Sequence, residues 1–314
     1  MSADAGSGAP AHGYPTRPVR LVEPFGQGGG PDLVARALGD ELSRLWAQPV
    51  EVENYPGRGG TTAPALVANA PADGYTLLVH TSAHAYSAAA VTKLPYDPLR
   101  DFIAIAALTS QPYALVTGPA TRITTLRQLI ATARAEPGEL TFATTGIGTG
   151  THLGIEELNL AAGISAKHMP AGSDEEISDV LAKAVRGESD YMMSPISIAG
   201  PHISTGDLVA LGVTARRRSP LLTEVPTISE AGVPGYDFPI WYGLWAPAAT
   251  SQVIIDKLVT DIGTSLDRPD LRDRLTHEGA DPITMTQREF ARFVIAESER
   301  AADILERAAS ATRT

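Results

Sequence analysis

Two stretches of backbone constrain this chain more than any others: "PFGQGGGPDLVARAL", Pro24 to Leu38, and "TFATTGIGTGTHLGIEEL", Thr141 to Leu158. In each, a short apolar run meets a glycine-rich loop and a helical stripe follows. Between Gly26 and Gly30 only Gln27 carries a side chain. Glycine in such a run is costly, because it forfeits backbone entropy on ordering. Val19, Leu21 and Phe25 predict a buried strand into the first loop. Leu33, Val34, Ala37, Leu38, Leu42, Leu45 and Trp46 recur at helical intervals, so a helix follows from Asp32 with Pro31 at its first position. A helix start carries unpaired N–H groups and roughly half a positive charge. Two such ends, Gly26–Gly30 and Gly146–Gly150, facing each other across a cleft would pinch one carboxylate without any arginine. The competing reading is that the glycines only make tight strand-to-helix turns. Asp32 also repels a bound carboxylate unless its side chain turns back on its own loop.

Other uses of such loops fail on their residues. A phosphate-binding loop ends in Gly-Lys-Ser/Thr, and neither loop has the lysine. The dinucleotide pattern fails as well, since Gly26-x-Gly28 runs into Pro31 and Gly146-x-Gly148 into Thr151. No cofactor is therefore expected. The formal net charge of -11 argues against a nucleic-acid partner, which needs a basic footprint. With no cysteine, thiolate catalysis, disulfides and Cys-based zinc sites are excluded, which fits an oxidising compartment. No stretch reaches the roughly 18 apolar residues of a membrane span. Residues 1–13, "MSADAGSGAPAHG", read as a disordered leader without the basic start and apolar centre of an export signal.

Strands alternate with helices along the rest of the chain. "PVEVEN", "GYTLLVH", "FIAIAALTS", "YALVT", "ELTFATT", "SDYMM", "LVALGVT" and "IWYGLWAP" read as strands. Capping boxes at Thr125/Gln128 and Thr286/Glu289 open two of the helices. Further helices are expected over Asp174–Arg186 and Gln252–Leu266. This pattern predicts an α/β protein of two lobes, each a mainly parallel sheet flanked by helices. Linking strands are expected near Ala104–Thr117 and Val213–Gly243. One lobe then takes residues 14–110 plus 225–314 and the other 111–224, with the last helix packed back on the first.

In order along the chain, "YPTRPVRLVEPFGQGGGPDLVARAL", "VENYPGRGG", "APADGYTLL", "KLPYDPLRDF", "TFATTGIGTGTHL", "PHISTGDLVALGVTARRRSPLLTEVPTISEAGVPGYDF" and "WYGLWAPAAT" resemble the Bug family. These are the extracytoplasmic solute receptors of tripartite tricarboxylate transporters. The resemblance runs from Tyr14 to the last helix. It implies a two-lobed, type II-like periplasmic-binding-protein fold that closes on its ligand. It also implies a periplasmic location and membrane partners, either transporter subunits or a sensor kinase, with the receptor acting as a monomer. Carried onto this sequence, it places Phe25, Gly26, Gly28, Gly29 and Asp32 on one wall of the ligand cleft. Thr144, Thr145, Gly146, Thr149 and His152 form the other, Ser82 and His84 line the floor, and Trp241-Tyr242 meet the ligand or the hinge. This chain departs from the family at Gly26-Gln27, at Ala171 where an aromatic is common, and at Ser194 where amino-acid binders tend to be acidic. The Ser194 departure points to a di- or aromatic carboxylate, because no carboxylate would remain there for an ammonium group.

Other chemistry is poorly supported. His152 and Glu156 share a helix face, but no third ligand accompanies them, so no metal site is expected. No G-x-S-x-G pentapeptide exists. Arg216-Arg217-Arg218 reads as a solvated turn. Trp46 reads as core, as does Trp245. The rival from another class is a cleft enzyme using His84, His152 and Asp32, for which no nucleophile, base and orienting group line up.

Overall fold

The computed structural model describes residues 13–91, 93–172 and 175–311. The leader read over 1–13 lies outside these except for Gly13, and so does Asp174, the expected start of one helix. Eleven strands are formed by the described residues: β1 Val19–Glu23, β2 Val50–Asn54, β3 Thr76–Thr81, β4 Phe102–Gln111, β5 Tyr113–Thr117, β6 Thr141–Thr144, β7 Lys167–Pro170, β8 Tyr191–Pro195, β9 Val209–Val213, β10 Ile240–Pro247 and β11 Asp281–Pro282. They make a six-stranded sheet, β11-β4-β10-β3-β1-β2, and a five-stranded one, β7-β6-β8-β5-β9.

The two sheets repeat one plan. In each, a first strand (β1 or β6) lies between its two successors in parallel, and a strand arriving from the other half of the chain is inserted beyond them. That inserted strand, β10 or β5, runs antiparallel to both neighbours. The strands flanking the inserted one therefore share a single direction, so each sheet is mainly parallel in strand direction, with one strand crossing in from the opposite sheet and running against the rest. The two-residue β11 at the edge of the first sheet runs against β4 as well. The chain crosses at Pro112, between β4 and β5, and returns between β9 and β10. The two glycine loops occupy equivalent places, each following the first strand of its sheet. Ligands of open α/β sheets bind at such strand ends, where neighbouring connections diverge.

Helices cover both sheets. The helix Gln252–Leu266 has the expected span, and the Asp174 helix is shorter than expected, Ile177–Val185. Thr286 and Glu289 make both halves of the expected capping box, whereas at Thr125 only the bond from the Gln128 N–H forms and the Gln128 side chain accepts from Thr124 instead. The last helix, Gln287–Ala311, packs on β4, on the helix Ala83–Ala90 and on the helix Gly150–Ala162, so it touches elements of both sheets. Its Glu297 is buried, and one carboxylate oxygen accepts from both the Tyr86 hydroxyl (2.8 Å) and the Trp241 indole N–H (3.0 Å). Glu297→Ala leaves two buried donors unpaired. The expected loss of stability is about 2–4 kcal/mol, read as a lower urea midpoint, with Glu297→Gln recovering part of it.

Candidate functional site

The backbones of the two loops are near copies. Gly28 and Gly148 both adopt φ 80°, in the left-handed region that glycine favours. The next residues, Gly29 and Thr149, cap their helices at φ/ψ of -71°/164° and -77°/163°. Helices then begin at Gly30 and Gly150. Each loop is clamped by the side chain four residues beyond its left-handed glycine. Asp32 Oδ2 accepts the Gly28 N–H at 2.9 Å, and His152 Nδ1 accepts the Gly148 N–H at 3.3 Å.

Asp32 thus turns back on its own loop. Burial works to raise its carboxyl, but Arg36, the Gly28 amide and Asn54 together hold it below the ordinary value. Beneath it, burial pushes Glu23 up to about 8, against hydrogen bonds from Phe25 and Asn54.

Gly30 and Gly150 are glycines for a second reason, which answers what comes so close to this backbone. A Cβ at Gly30 would overlap the Tyr242 hydroxyl, and one at Gly150 would overlap the Tyr113 hydroxyl. Tyr242 lies on β10 and Tyr113 on β5, the inserted strand of each sheet. Burial pushes both phenols well above their ordinary range, so each keeps its proton. Tyr242 accepts from the Gln111 side-chain amide and keeps its own O–H to donate.

Both helix starts and both tyrosines line one cavity of about 500 Å³. Its remaining walls include the Pro56–Gly60 turn after β2, the apolar side chains of Ile177, Ile198 and Ile240, and Glu175 and Glu176. No lysine, arginine or histidine is among the described residues lining it. Most of the loops' own amides are already used: Gly146 donates to Thr144 Oγ1, Thr145 to Thr151 Oγ1, and Gly29 to the Gly26 carbonyl. What the loops leave on the cavity wall are the helix-start amides of Gly30, Gly150 and Thr151, since Pro31 has no N–H and the His152 N–H is held by Thr149 Oγ1 at 3.4 Å.

Of the residues expected at the site, Phe25, Gly26, Gly28, Gly29, Thr145 and Thr149 lie on the cavity wall. The others lie elsewhere, each for a physical reason. Asp32 and His152 serve as the loop clamps, and Gly146 is folded into its own loop, accepting from Thr149 Oγ1 at 2.8 Å. Thr144 pairs with His168 Nε2. Ser82 is buried at the start of the helix Ala83–Ala90, its N–H donated to the Trp241 carbonyl. His84 is wholly buried among Tyr96, Phe102 and Trp245, which depresses its pKa and keeps it neutral. Ala171 packs on the second sheet's core, and Ser194 is fully buried on β8 with its hydroxyl turned to the Pro195 carbonyl. Trp241 faces the last helix, against Phe290 and Phe293.

Sequence reasoning missed Tyr113, Glu176 and the Pro56–Gly60 turn. It named Tyr242 only beside Trp241, although residues adjacent on a strand point to opposite faces. Recognising Trp241 and Trp245 as the core face would have turned Tyr242 toward the cavity. Among the described residues no group of three His, Asp or Glu side chains is arranged to hold a metal ion, and no helix is long and apolar enough to cross a membrane.

The fold has solved relatives. Rpa4515 of R. palustris, solved with adipate, superposes with a TM-score of 0.85 at 30% identity, covering 94% of this chain and 98% of that one. MatC (Rpa3494) from Rhodopseudomonas palustris, with bound malate, gives a TM-score of 0.81 at 33% identity, covering 93% and 99%. BugT of Bordetella pertussis is 32% identical over 308 residues, 96% of this chain and 93% of its own length. The architecture is thus the two-lobed periplasmic-binding-protein fold. The model of the tripartite tricarboxylate transporter family receptor matches residues 34–309. This chain belongs to that receptor family.

Proposed function

We propose that the chain captures one small carboxylate in the cavity between its two sheets and hands it, unaltered, to the membrane subunits of a tripartite transporter in the periplasm. One observation carries this reading: two equivalent helix starts, each with a tyrosine hydroxyl beside it, face a single cavity lined by no basic side chain among the described residues. Such a site neutralises an anion with amides and hydroxyls alone, and hydrogen bonds to an ionised acceptor are the strong kind. The adipate and malate held by the two solved relatives support the ligand class. The cavity's size and its isoleucine walls suit a carboxylate with an apolar body. Ser194 contributes nothing to that choice, since it is buried away from the cavity. Residues 14–110 plus 225–314 then form one lobe and 111–224 the other, closing about Pro112 and the return into β10 with the ligand stabilising the closed state.

Calorimetry with adipate, malate, benzoate and a set of amino acids tests the reading. At least one carboxylate is expected to bind at micromolar Kd, about -8 kcal/mol. Tyr113→Phe and Tyr242→Phe should each weaken it by about tenfold, the worth of one hydrogen bond to a charged group. Binding of no carboxylate at all would overturn it.

A further inference from the structure

Glu175 and Glu176 are the charged side chains among the described residues lining the cavity, and they differ in one respect. Glu175 is neutralised by Lys183 at 2.6 Å. Glu176, at the start of the helix Ile177–Val185, has no cationic partner among the described residues. Its carboxylate lies against Gly26 of the first loop, 3.8 to 4.0 Å from where a Cβ would stand. The other acidic groups near that loop, Glu23, Asp32 and Asp179, are carboxyls too, and Arg36 is taken up by Asp32 and Asn54. The cavity thus presents amides and hydroxyls to one end of a ligand, and to another part of it a carboxylate that accepts the Gly26 N–H but has no cation beside it among the described residues.

An ionised ligand carboxylate beside Glu176 would meet a like charge in a partly dry site, where such juxtaposition is strongly unfavourable. A group that can donate a hydrogen bond would instead complete it. We propose, resting on the carboxylate-binding reading above, that Glu176 is a specificity-determining residue. It selects carboxylates whose second polar group is a hydrogen-bond donor, a hydroxyl or an ammonium, over those whose second group is another ionised carboxylate. Specificity of this kind works by repulsion of the wrong ligand as much as by attraction of the right one.

Adipate and 6-hydroxyhexanoate share one chain length and differ at one end, so calorimetry at pH 8 isolates the effect. The wild-type protein should bind the hydroxy acid at least about tenfold more tightly than adipate. Glu176→Gln should erase or reverse that preference by strengthening adipate. The wild-type comparison needs no variant, so a poorly folding Glu176→Gln would not shield the proposal. Equal affinities in the wild type, or a preference untouched in Glu176→Gln, would overturn the role of Glu176 and leave carboxylate binding standing. If neither compound nor any other carboxylate bound, both readings would fall together.

Discussion

Replacing Gly30 or Gly150 by alanine should abolish high-affinity binding, and replacing both should leave no measurable carboxylate binding. The reason is steric and local. A Cβ at either position would enter the space of a tyrosine hydroxyl, Tyr242 or Tyr113, and would also crowd the Gln111 amide or the ring carbon bearing the hydroxyl. Either the tyrosine swings away or the helix start retreats from the cavity. Both responses separate a hydroxyl from the amides it sits beside. Overpacking of this kind costs about 1–3 kcal/mol of stability, and the loss in affinity should be about 100-fold or more per site, equivalent to about 3 kcal/mol of interaction. The combination Gly150→Ala with Tyr113→Phe separates the two effects, since removing the hydroxyl makes room for the methyl group. It should recover the urea midpoint of the wild type without recovering its affinity. Wild-type affinity in both single alanine variants would remove the helix starts from the mechanism.

The glycine loops were legible because glycine is conspicuous and because a strand before it and a helical stripe after it fix where it lies. Their clamps were legible in part. Asp32 carried a stated alternative, turning back on its own loop, and the structure shows that arrangement. The same register, four residues beyond a left-handed glycine, holds for His152, yet the two loops do not look alike there, one offering a carboxylate and the other an imidazole. The contacts of Tyr113 with Gly150 and of Tyr242 with Gly30 were out of reach for a different reason. Each tyrosine sits on a strand distant in sequence from the glycine it abuts, and only the crossing of β5 and β10 into the opposite half of the chain brings them together. Local periodicity reads a tyrosine in such a strand as core.

Two edge strands, β7 and β11, escaped for a simpler physical reason. β7, Lys167–Pro170, is largely exposed and shows no alternation of apolar and polar residues, and β11 has two residues. Without β7, the partner of His152 could not be found, because His168 is held on that strand beside Phe142 and Thr144. The sequence carried both histidines openly, but their meeting depends on a parallel pairing that leaves no local trace.

That meeting makes the second loop sensitive to acid. The rings of His152 and His168 stack with centroids 4.3 Å apart. Burial, with His168 adding to it, pushes His152 down to about 3, and burial pushes His168 down to about 4. Both are therefore neutral in the folded protein, while in the unfolded chain each takes up a proton near its ordinary value of about 6.5. The unfolded state binds more protons throughout the interval between those values, so stability must fall as the pH drops from about 6.5 toward 4. For His152 the slope approaches about 1.4 kcal/mol per pH unit, or about 2–3 kcal/mol lost by pH 4.5. His168 adds less, because it is partly exposed and solvent screens its charge. Glu156, 3.6 Å from His152 Nε2 and raised by burial, works in the opposite direction, gaining its proton in the fold before it does in the unfolded chain. Protonation of His152 also removes the lone pair that accepts the Gly148 N–H, so the loop loses its clamp and ligand affinity should fall with stability. His152→Asn keeps an acceptor at that position, as Asp32 does in the first loop, but cannot titrate. Urea midpoints measured at pH 7.5, 5.5 and 4.5 should fall steeply for the wild type and less than half as steeply for His152→Asn. Parallel slopes for the two proteins would show that the acid sensitivity lies elsewhere.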